Sequence, residues 1–191
     1  MNISILGGTG KFGQHLAKRL EENHNIAITG RSLENAREIA EEHNWGALTN
    51  SEAAEKADIV IFSLPISVTV DVINEVGPHV SSDTLLCDIT SVKQKPCEAM
   101  KKYSNEVLGM HPMYAPTNTP AGQKVVLCPI KGEKWKILEE FWKNQGADLH
   151  FTDPGKHDKV MSLVQGLMHF SELVVAETIA KSNINAEDIE N

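Results

Sequence analysis

The sequence predicts a doubly wound α/β fold with a mostly parallel sheet. Short apolar runs alternate along the chain with amphipathic stretches, and this alternation of strands and helices is typical of parallel α/β sheets. The inner runs, such as IVIF at 59–62, are apolar throughout rather than at every second position, as expected for strands that are covered on both faces.

Each predicted element follows from its local pattern. The predicted strands begin at Asn2, Asn25, Ala57, Asp83, Val107, Lys124 and Ala147. The predicted helices cover residues 11–22, 33–43, 51–56, 68–76, 133–143 and 156–181. Thr152, Asp153 and Pro154 have the pattern of a helix start, with Thr or Asp as the N-cap and Pro in the first turn. We therefore expect one domain over residues 1–152 and the first helix of a second domain over residues 153–191.

The composition excludes several classes of protein. The chain has 191 residues, 41% of them hydrophobic, and a formal net charge of −8, which does not suit a protein that neutralises nucleic-acid phosphates. No apolar run approaches the roughly 18 residues of a membrane span, and the N-terminus lacks the basic start of a signal peptide. The three cysteines have no Cys-x-x-Cys spacing, so we expect reduced thiols, no metal site and a cytoplasmic location.

A glycine-rich loop follows the first predicted strand and opens the first predicted helix. It has the pattern GxGxxG and consists of Gly8, Thr9, Gly10, Lys11, Phe12 and Gly13. The pattern alone is weak, but at the start of a βαβ unit it is typical of a Rossmann-type dinucleotide site. The glycines permit a tight turn and a close approach of the pyrophosphate, which then faces the free N–H groups of a helix N-terminus. The alternative is a glycine-rich turn without a ligand.

The end of the second strand indicates which dinucleotide binds. An NAD site usually has a carboxylate there that accepts hydrogen bonds from the ribose 2′-hydroxyl, but this strand ends in Ile28-Thr29-Gly30-Arg31-Ser32. Arg31 can bind a 2′-phosphate through two hydrogen bonds and Ser32 can donate another. We therefore predict NADP rather than NAD; the alternative is a solvated Arg31 and use of either cofactor. Leu64 and Pro65, which end an inner strand, are expected to line the cofactor trough.

Polar residues also follow two later strands. Asp88, Thr90, Ser91 and Lys93 lie just beyond one strand end. His111 lies beyond the next, in the stretch GMHPMYAP, where Pro112 and Pro116 stiffen the backbone. Because carboxyl ends of parallel strands share one edge of the sheet, we expect these side chains to meet there. A chemically active His must be held in one orientation, and the prolines supply that constraint.

The last predicted helix carries a polar stripe. Asp158, Ser162, Gln165 and His169 are spaced 4, 3 and 4 residues apart, so they share one helix face. The rest of the helix is largely apolar. We interpret the stripe as the lining of a wet pocket; the alternative is a solvated face.

These stretches together resemble the prephenate dehydrogenase family, particularly its archaeal-type members. The shared features are the glycine loop, a D-x-x-S-x-K element (88–93), a G-x-H-P-M element (109–113), and an H-D element at 157–158 that opens a helix carrying the second histidine, His169. Their order and spacing agree over nearly the whole chain. The glycine loop is common to many families, whereas the other three elements in combination are specific.

The resemblance implies oxidative decarboxylation of prephenate to 4-hydroxyphenylpyruvate in tyrosine biosynthesis, with hydride passing to NAD(P). The catalytic histidine of the family corresponds to His111, whose neutral imidazole would accept a hydrogen bond from the ring hydroxyl. Ser91 corresponds to a serine that orients this histidine or the substrate. His169 corresponds to a helix histidine near the substrate or the nicotinamide.

The sequence departs from the family pattern in two places. Tyr114-Ala115-Pro116 replaces the small or Phe residue and the Gly that usually follow H-P-M. The family also continues into a helical substrate and dimerisation domain that supplies an Arg for a substrate carboxylate, and we expect this chain to be a truncated form. Its arginines lie only in the cofactor half, so the candidates for the substrate carboxylates are Lys93, Lys124, Lys156 and Lys159, with Gln165 as a further substrate contact.

The unaccompanied apolar helix predicts a homodimer formed through it. Three alternatives stay open for the function. The substrate could be arogenate, the protein could be another small NADP oxidoreductase such as a deazaflavin-dependent NADP reductase, or it could be a non-catalytic NADP-binding module.

Overall fold

The computed structural model of the protein describes residues 1–182, which form one eight-stranded sheet and its flanking helices. In chain order the elements are β1 (Asn2–Leu6), α1 (Lys11–Leu20), β2 (Asn25–Ile28), α2 (Leu33–His43), β3 (Gly46–Ala47), α3 (Asn50–Lys56), β4 (Ile59–Phe62), α4 (Ile66–Val76), β5 (Leu85–Asp88), α5 (Gln94–Met100), β6 (Glu106–Pro112), β7 (Lys124–Lys131), α6 (Lys136–Asn144), β8 (Asp148–Phe151) and α7 (Pro154–Lys181). A single 3₁₀ turn, Gly77–His79, follows α4.

The strand order is β3-β2-β1-β4-β5-β6-β7-β8. The first six strands in this order are parallel, β7 runs antiparallel to β6, and β8 is parallel to β7. The predicted mostly parallel, doubly wound sheet is therefore confirmed. The order reverses between β1 and β4, which is the position where such sheets bind ligands beyond the carboxyl ends of their strands.

Both faces of the sheet are covered. On one face, Leu16 of α1 and Trp142 of α6 join a core with side chains of β1 and β2. On the other face, Ile73 of α4 and Met100 of α5 pack against Phe62 of β4 and its neighbours. Every residue of β4 is buried, which explains why this strand is apolar throughout.

Two elements and one strand end differ from the sequence prediction. β3 has two residues and exists through its pairing with β2, and α5, whose seven residues include Pro96, was not predicted. β6 does not end before His111 but includes it, because antiparallel pairing with β7 continues to Pro112, opposite Val125. His111 is thus held by strand pairing as well as by the neighbouring proline.

The long helix α7 begins as the sequence indicated. Asp153 is the N-cap, its side chain accepts a hydrogen bond from Lys156 N at 2.8 Å, and Pro154 occupies the first turn. His157 and Met161 are buried against the sheet domain. The division into domains at residue 152 stays a prediction, and residues 183–191, which were assigned to the second domain, lie outside the described residues.

Beyond Met161, α7 exposes large apolar side chains. They are Leu163, Val164, Leu167, Met168, Phe170, Leu173, Val174, Val175 and Ile179. Leu167 and Phe170 are 63% and 66% exposed, which is unusual for a monomer surface. Although α7 has 28 residues, neither it nor another helix within residues 1–182 has the sustained hydropathy of a membrane span.

Candidate active site

The glycine loop joins β1 to α1, and three of its glycines have no room for a side chain. Gly7 has a left-handed φ of +80°, and a Cβ there would lie 2.2 Å from the Ser63 carbonyl oxygen. A Cβ on Gly8 would lie 2.6 Å from Ile28 Cγ2, and one on Gly13 would lie 2.7 Å from Gly8 Cα. The loop therefore packs directly on β2, β4 and its own helix. Gly7 was missed in the sequence analysis because it precedes the GxGxxG pattern.

The loop leaves the N-terminus of α1 open. Gly10 is the N-cap and has no side chain to bond the first-turn N–H groups, which are then free to donate to an anion. The side chain of Lys11 lies in a groove with His15 and Thr117. Phe12 packs against His15 and Tyr114, with ring centroids 5.3 and 5.5 Å apart. The side chain of Phe12 is thus occupied by packing, and its predicted cofactor contact would be made by the backbone N–H. Lys11 would also contact the cofactor through its backbone N–H, unless its side chain leaves the groove.

A cleft of about 730 Å³ runs from the glycine loop across the carboxyl ends of β2 and β4. Its lining includes Gly7, Thr9, Gly10, Thr29, Gly30, Arg31, Asn35, Asn50, Leu64 and Pro65. Of the predicted cofactor residues, Thr9, Gly10, Arg31, Leu64 and Pro65 therefore face one space. These features fit a dinucleotide: small residues where a pyrophosphate must approach, free N–H groups, and apolar walls.

The end of β2 presents no carboxylate to the cleft. Thr29 is buried and its hydroxyl donates to Asn50 Oδ1 at 2.7 Å. Gly30 packs on Thr9 so closely that a Cβ would lie 2.6 Å from its methyl group. Arg31 is exposed at the cleft, and Ser32 caps α2 by accepting a hydrogen bond from Asn35 N at 3.3 Å, which leaves its hydroxyl proton available.

His111 lies near the carboxyl end of β6 and contacts the start of α7. Its Nδ1 is 3.0 Å from Nε2 of His157, and the two rings meet edge to face. Nδ1 of His157 is in turn 2.8 Å from Oδ1 of Asp158. The H-D element was noted in the sequence, but its contact with His111, 46 residues away, was not foreseen because it depends on how α7 packs.

Lys93 occupies the interior beneath β6. Its side chain is fully buried and forms an ion pair with Asp88, and its Nζ donates to the carbonyl oxygen of Met110 at 2.7 Å. Gly109 makes room for it, because a Cβ there would lie 3.0 Å from Lys93 Cδ. The prediction that Lys93 holds a substrate carboxylate is wrong, since its ammonium group is enclosed and already bonded.

Asp158 joins α7 to the D-x-x-S-x-K element. Besides its bond to His157, its two carboxylate oxygens accept from Lys93 N at 2.7 Å and Gln94 N at 2.9 Å. They thereby satisfy N–H groups at the start of α5. The three elements that the sequence analysis singled out are thus physically linked, from Asp88 through Lys93 and Asp158 to His157 and His111.

Burial governs the electrostatics of these groups. Burial, with the positive charge of Lys93 and the proximity of His157, lowers the pKa of His111 to about 4, so its imidazole is neutral at pH 7. Burial also lowers the pKa of His157, against the opposing bond to Asp158. For Asp158, burial acts to raise the pKa, but the bonds from His157, Gln94 and Lys93 leave it below its ordinary value. Burial raises the pKa of Asp88 despite its pairing with Lys93.

Three other predicted site residues do not reach His111 within residues 1–182. Ser91 is half-buried and forms no hydrogen bond with the ring. His169 is exposed and pairs with Glu172 at 3.3 Å; twelve residues of helix place it about 18 Å beyond His157. The stripe was expected to line a wet pocket; in residues 1–182 Ser162 and His169 are exposed, Gln165 is half-buried, and the carboxylate of Asp158 is bonded to the start of α5 and to His157. The substrate roles of Ser91, Gln165 and His169 stay predictions.

A second cavity, of about 480 Å³, adjoins the histidine pair. It is lined by His157, Met113, Val126, Lys124 and Lys156 with mainly apolar neighbours. Val126 is the register partner of His111 on β7, and directly opposed residues project from the same face of a sheet. His111 therefore projects from the sheet face on which this cavity lies.

Tyr114 accounts for the first departure from the family pattern. Its hydroxyl is 3.1 Å from Nε2 of His15 on α1, and its ring meets Trp142 of α6 edge to face. Burial raises the pKa of Tyr114 to about 12, so the phenol stays neutral. The large residue after H-P-M thus anchors the segment that follows β6 to two helices.

Comparison with known families identifies the chain. Residues 16–151 match the model of the prephenate dehydrogenase nucleotide-binding domain. The chain belongs to the prephenate dehydrogenase family. A probable arogenate/prephenate dehydrogenase of Methanocaldococcus jannaschii is 38% identical over 199 aligned positions, which cover 98% of this chain and 44% of that protein. The chain thus spans about half the length of the curated relatives it matches.

Two further similarities concern the fold and the first part of a different reductase. The fold matches the crystal structure of prephenate dehydrogenase from A. aeolicus in complex with hydroxyphenyl propionate and NAD⁺, with a TM-score of 0.82, 22% identity, and coverage of 96% of this chain and 71% of that one. An F420-dependent NADP reductase of M. jannaschii is 40% identical over 86 residues, but these cover 39% of this chain and 39% of that protein. The match to the M. jannaschii dehydrogenase covers 98% of this chain, whereas the match to the reductase covers 39%.

Proposed function

We propose that this chain supplies the cofactor site and the catalytic histidine of an NADP-dependent prephenate dehydrogenase. The proposed reaction is oxidative decarboxylation of prephenate to 4-hydroxyphenylpyruvate. The observation that carries it is a neutral, buried His111 at the sheet edge that the glycine loop shares. The ring of His111 is hydrogen-bonded to His157, which is bonded in turn to Asp158, and its other nitrogen, Nε2, has no hydrogen-bond partner among residues 1–182.

The chemistry of the chain follows from that nitrogen. Nε2 of His111 accepts a hydrogen bond from the hydroxyl group of the substrate ring, which stabilises the positive charge that develops on this carbon. A bound nicotinamide ring supplies the acceptor for the hydride that leaves the same carbon. Loss of CO₂ then makes the ring aromatic and provides most of the driving force. His111 needs to be neutral for this role, as its lowered pKa ensures at pH 7.

NADP preference is supported by the charge at the end of β2. The cleft lining contains Arg31 and, among residues 1–182, no Asp or Glu. A guanidinium group can form two hydrogen bonds with a phosphate, and its positive charge attracts the negative charge of the phosphate. The partial match to a relative named as an NADP reductase points in the same direction.

The substrate carboxylates need cations, and two lysines are placed to supply them. Lys124 and Lys156 line the cavity beside His157, whereas Lys93 is enclosed. We assign the carboxylates of prephenate to these two side chains. Replacing either by Met should raise the KM for prephenate and leave the Kd for NADP unchanged; an unchanged KM in both variants would exclude this assignment.

Arogenate is the second candidate substrate. It differs from prephenate at the side chain, where an amino group replaces the keto oxygen, so the role of His111 is the same. The name of the M. jannaschii relative includes both substrates.

The homodimer is likewise proposed, with the exposed apolar face of α7 as its interface. We also propose a cytoplasmic location, which suits an enzyme with three buried free thiols.

The test is an absorbance assay for reduced nicotinamide. Prephenate and arogenate are each supplied with NADP and with NAD, to this chain and to any longer product of the same gene. Reduction of NADP with prephenate supports the proposal. If NADP binds tightly but neither protein reduces it with either substrate, the proposed reaction is wrong.

A further inference from the structure

We propose that His157 and Asp158 fix the tautomer of His111, so that Nδ1 carries the proton and Nε2 is the bare acceptor. Three groups in sequence define the arrangement: Asp158 Oδ1 lies 2.8 Å from Nδ1 of His157, and Nε2 of His157 lies 3.0 Å from Nδ1 of His111. His157 acts through His111 and is therefore a positioning residue. The catalytic consequence rests on the proposed function, whereas the tautomer itself does not.

Asp158 determines which atom is the donor and which the acceptor in this series of hydrogen bonds. Its carboxylate already accepts from two backbone N–H groups, those of Lys93 and Gln94, and an ionised carboxylate can only accept. Nδ1 of His157 must therefore carry a proton, because a lone pair there would face a carboxylate oxygen at 2.8 Å.

The next step follows from the burial of His157, which is 2% exposed. A neutral ring with a proton on Nδ1 has its lone pair on Nε2, and that lone pair faces Nδ1 of His111 at 3.0 Å. Two lone pairs cannot meet at this distance, so His111 must donate from Nδ1. A positively charged His157 would reverse the polarity. The carboxylates of Asp158 and Asp88 favour that charge, but the burial of the ring is the larger effect and acts with the ammonium group of Lys93 to lower the pKa of His157.

The outcome for His111 is a single functional state. With the proton on Nδ1, its Nε2 holds a lone pair and cannot donate. This nitrogen has no hydrogen-bond partner in residues 1–182. The fully buried side-chain atoms that lack a partner do not include it, so Nε2 of His111 is accessible to solvent. An unrestrained neutral imidazole adopts both tautomers, and the Nε2–H form would meet a substrate hydroxyl with a donor instead of an acceptor.

The decisive measurement is the tautomer itself. The chain is labelled with ¹⁵N-histidine and examined at pH 7 by long-range ¹H–¹⁵N correlation NMR, with resonances assigned through the His111→Asn and His157→Gln variants. We expect both rings to be protonated at Nδ1 and unprotonated at Nε2. A proton on Nε2 of His111, or averaging between the two forms, would overturn the proposal.

A matched pair of variants separates positioning from folding. In His157→Gln the amide oxygen can still accept from His111 Nδ1, whereas in His157→Leu no acceptor is present. We expect the Gln variant to keep the tautomer and most of the activity. The Leu variant should lose the fixed tautomer, and kcat should fall about 10²- to 10⁴-fold with little change in the KM for NADP, by analogy with loss of the orienting carboxylate in serine protease triads.

A folded Leu variant that keeps the Nδ1–H form of His111 would contradict the proposal. If the Leu variant does not fold, the spectra of the wild-type and Gln chains still decide the tautomer. The two proposals also fail separately. A fixed Nδ1–H tautomer without turnover of prephenate or arogenate contradicts only the proposed reaction, and turnover with the other tautomer contradicts only the role of His157.

Discussion

The Nζ atom of Lys93 lies 2.7 Å from the carbonyl oxygen of Met110, the residue immediately before His111. A buried cation therefore holds the backbone of the strand that carries the histidine, while its charge helps to keep the imidazole neutral. The same side chain pairs with Asp88, so the D-x-x-S-x-K element supports the G-x-H-P-M element from below.

Replacing Lys93 by Met should destabilise the fold strongly. The change leaves the carboxylate of Asp88 buried without its partner, a situation that typically costs about 3–5 kcal/mol of unfolding free energy. Urea unfolding measures the loss. The exposed neighbour Lys95 provides the control, because Lys95→Met should change stability little. A loss below about 1 kcal/mol for Lys93→Met would contradict the importance of this pair.

Replacing His111 by Asn should remove turnover while cofactor binding persists. The variant loses the imidazole lone pair that accepts the substrate hydroxyl, and general acid–base groups of this kind contribute about 10²- to 10⁴-fold to rate. Absorbance of the reduced cofactor gives kcat, and fluorescence titration gives the Kd for NADP. His79→Asn, at an exposed position, is the control. Activity within about threefold of wild type would refute the mechanism.

The low pKa of His111 predicts a loss of stability in mild acid. The folded ring titrates near pH 4, whereas an unfolded histidine titrates near 6.5, so the unfolded state binds a proton first as the pH falls. The contribution of His111 to the unfolding free energy is thus intact above pH 6.5 and declines towards pH 4, by at most about 3 kcal/mol. Urea unfolding between pH 7.5 and 4.5 should show a shallower decline for His111→Asn than for wild type; parallel curves would disprove this assignment.

Replacing Arg31 by Ala should weaken NADP but not NAD. Loss of charge-assisted hydrogen bonds worth about 1.5–3 kcal/mol corresponds to roughly 10- to 100-fold in the Kd for NADP. Isothermal titration with both cofactors measures the difference. Arg37→Ala, an exposed arginine on α2, controls for the loss of positive charge. Equal effects on the two cofactors would show that Arg31 does not bind the 2′-phosphate.

The exposed apolar face of α7 should mediate self-association. Leu167 and Phe170 are more than half exposed, and burial of such side chains against another copy would remove a large apolar area from water. Sedimentation of the wild-type chain should give a dimer, and the double variant Leu167→Lys with Phe170→Lys should shift it towards the monomer. Ser171→Lys adds charge to the same stretch without removing an apolar side chain. A monomeric wild-type chain would exclude this interface.

The elements that could be predicted from the sequence are those encoded locally. The strand β4 and the glycine loop are recognisable because apolar runs and closely spaced glycines lie within a few residues of one another. The start of α7 was likewise fixed by Asp153 and Pro154. In contrast, β3 depends on pairing between Ala27 and Gly46, and no local pattern marks two residues as a strand.

The sequence predicted which residues form the site better than it predicted which of them contact one another. His111 was identified, but its partner His157 is 46 residues away in the chain and meets it only because α7 packs across the sheet edge. Lys93 was predicted to bind a substrate carboxylate, a role that needs an accessible ammonium group, because lysines are rarely fully buried. Its actual position is determined by Asp88, by the Met110 carbonyl and by the absence of a side chain at Gly109.

The N-terminal part of α7 carries both His157 and Asp158, whereas its exposed apolar side chains begin at Val160 and continue beyond Met161. A helix of 28 residues is about 42 Å long at 1.5 Å per residue, and its N-terminal end lies beside His111. A tilt of only 2° about that end displaces the C-terminal end by about 1.5 Å. Packing against the C-terminal part of α7 therefore determines the angle of the helix, and substitutions there should alter catalysis without any contact with the substrate.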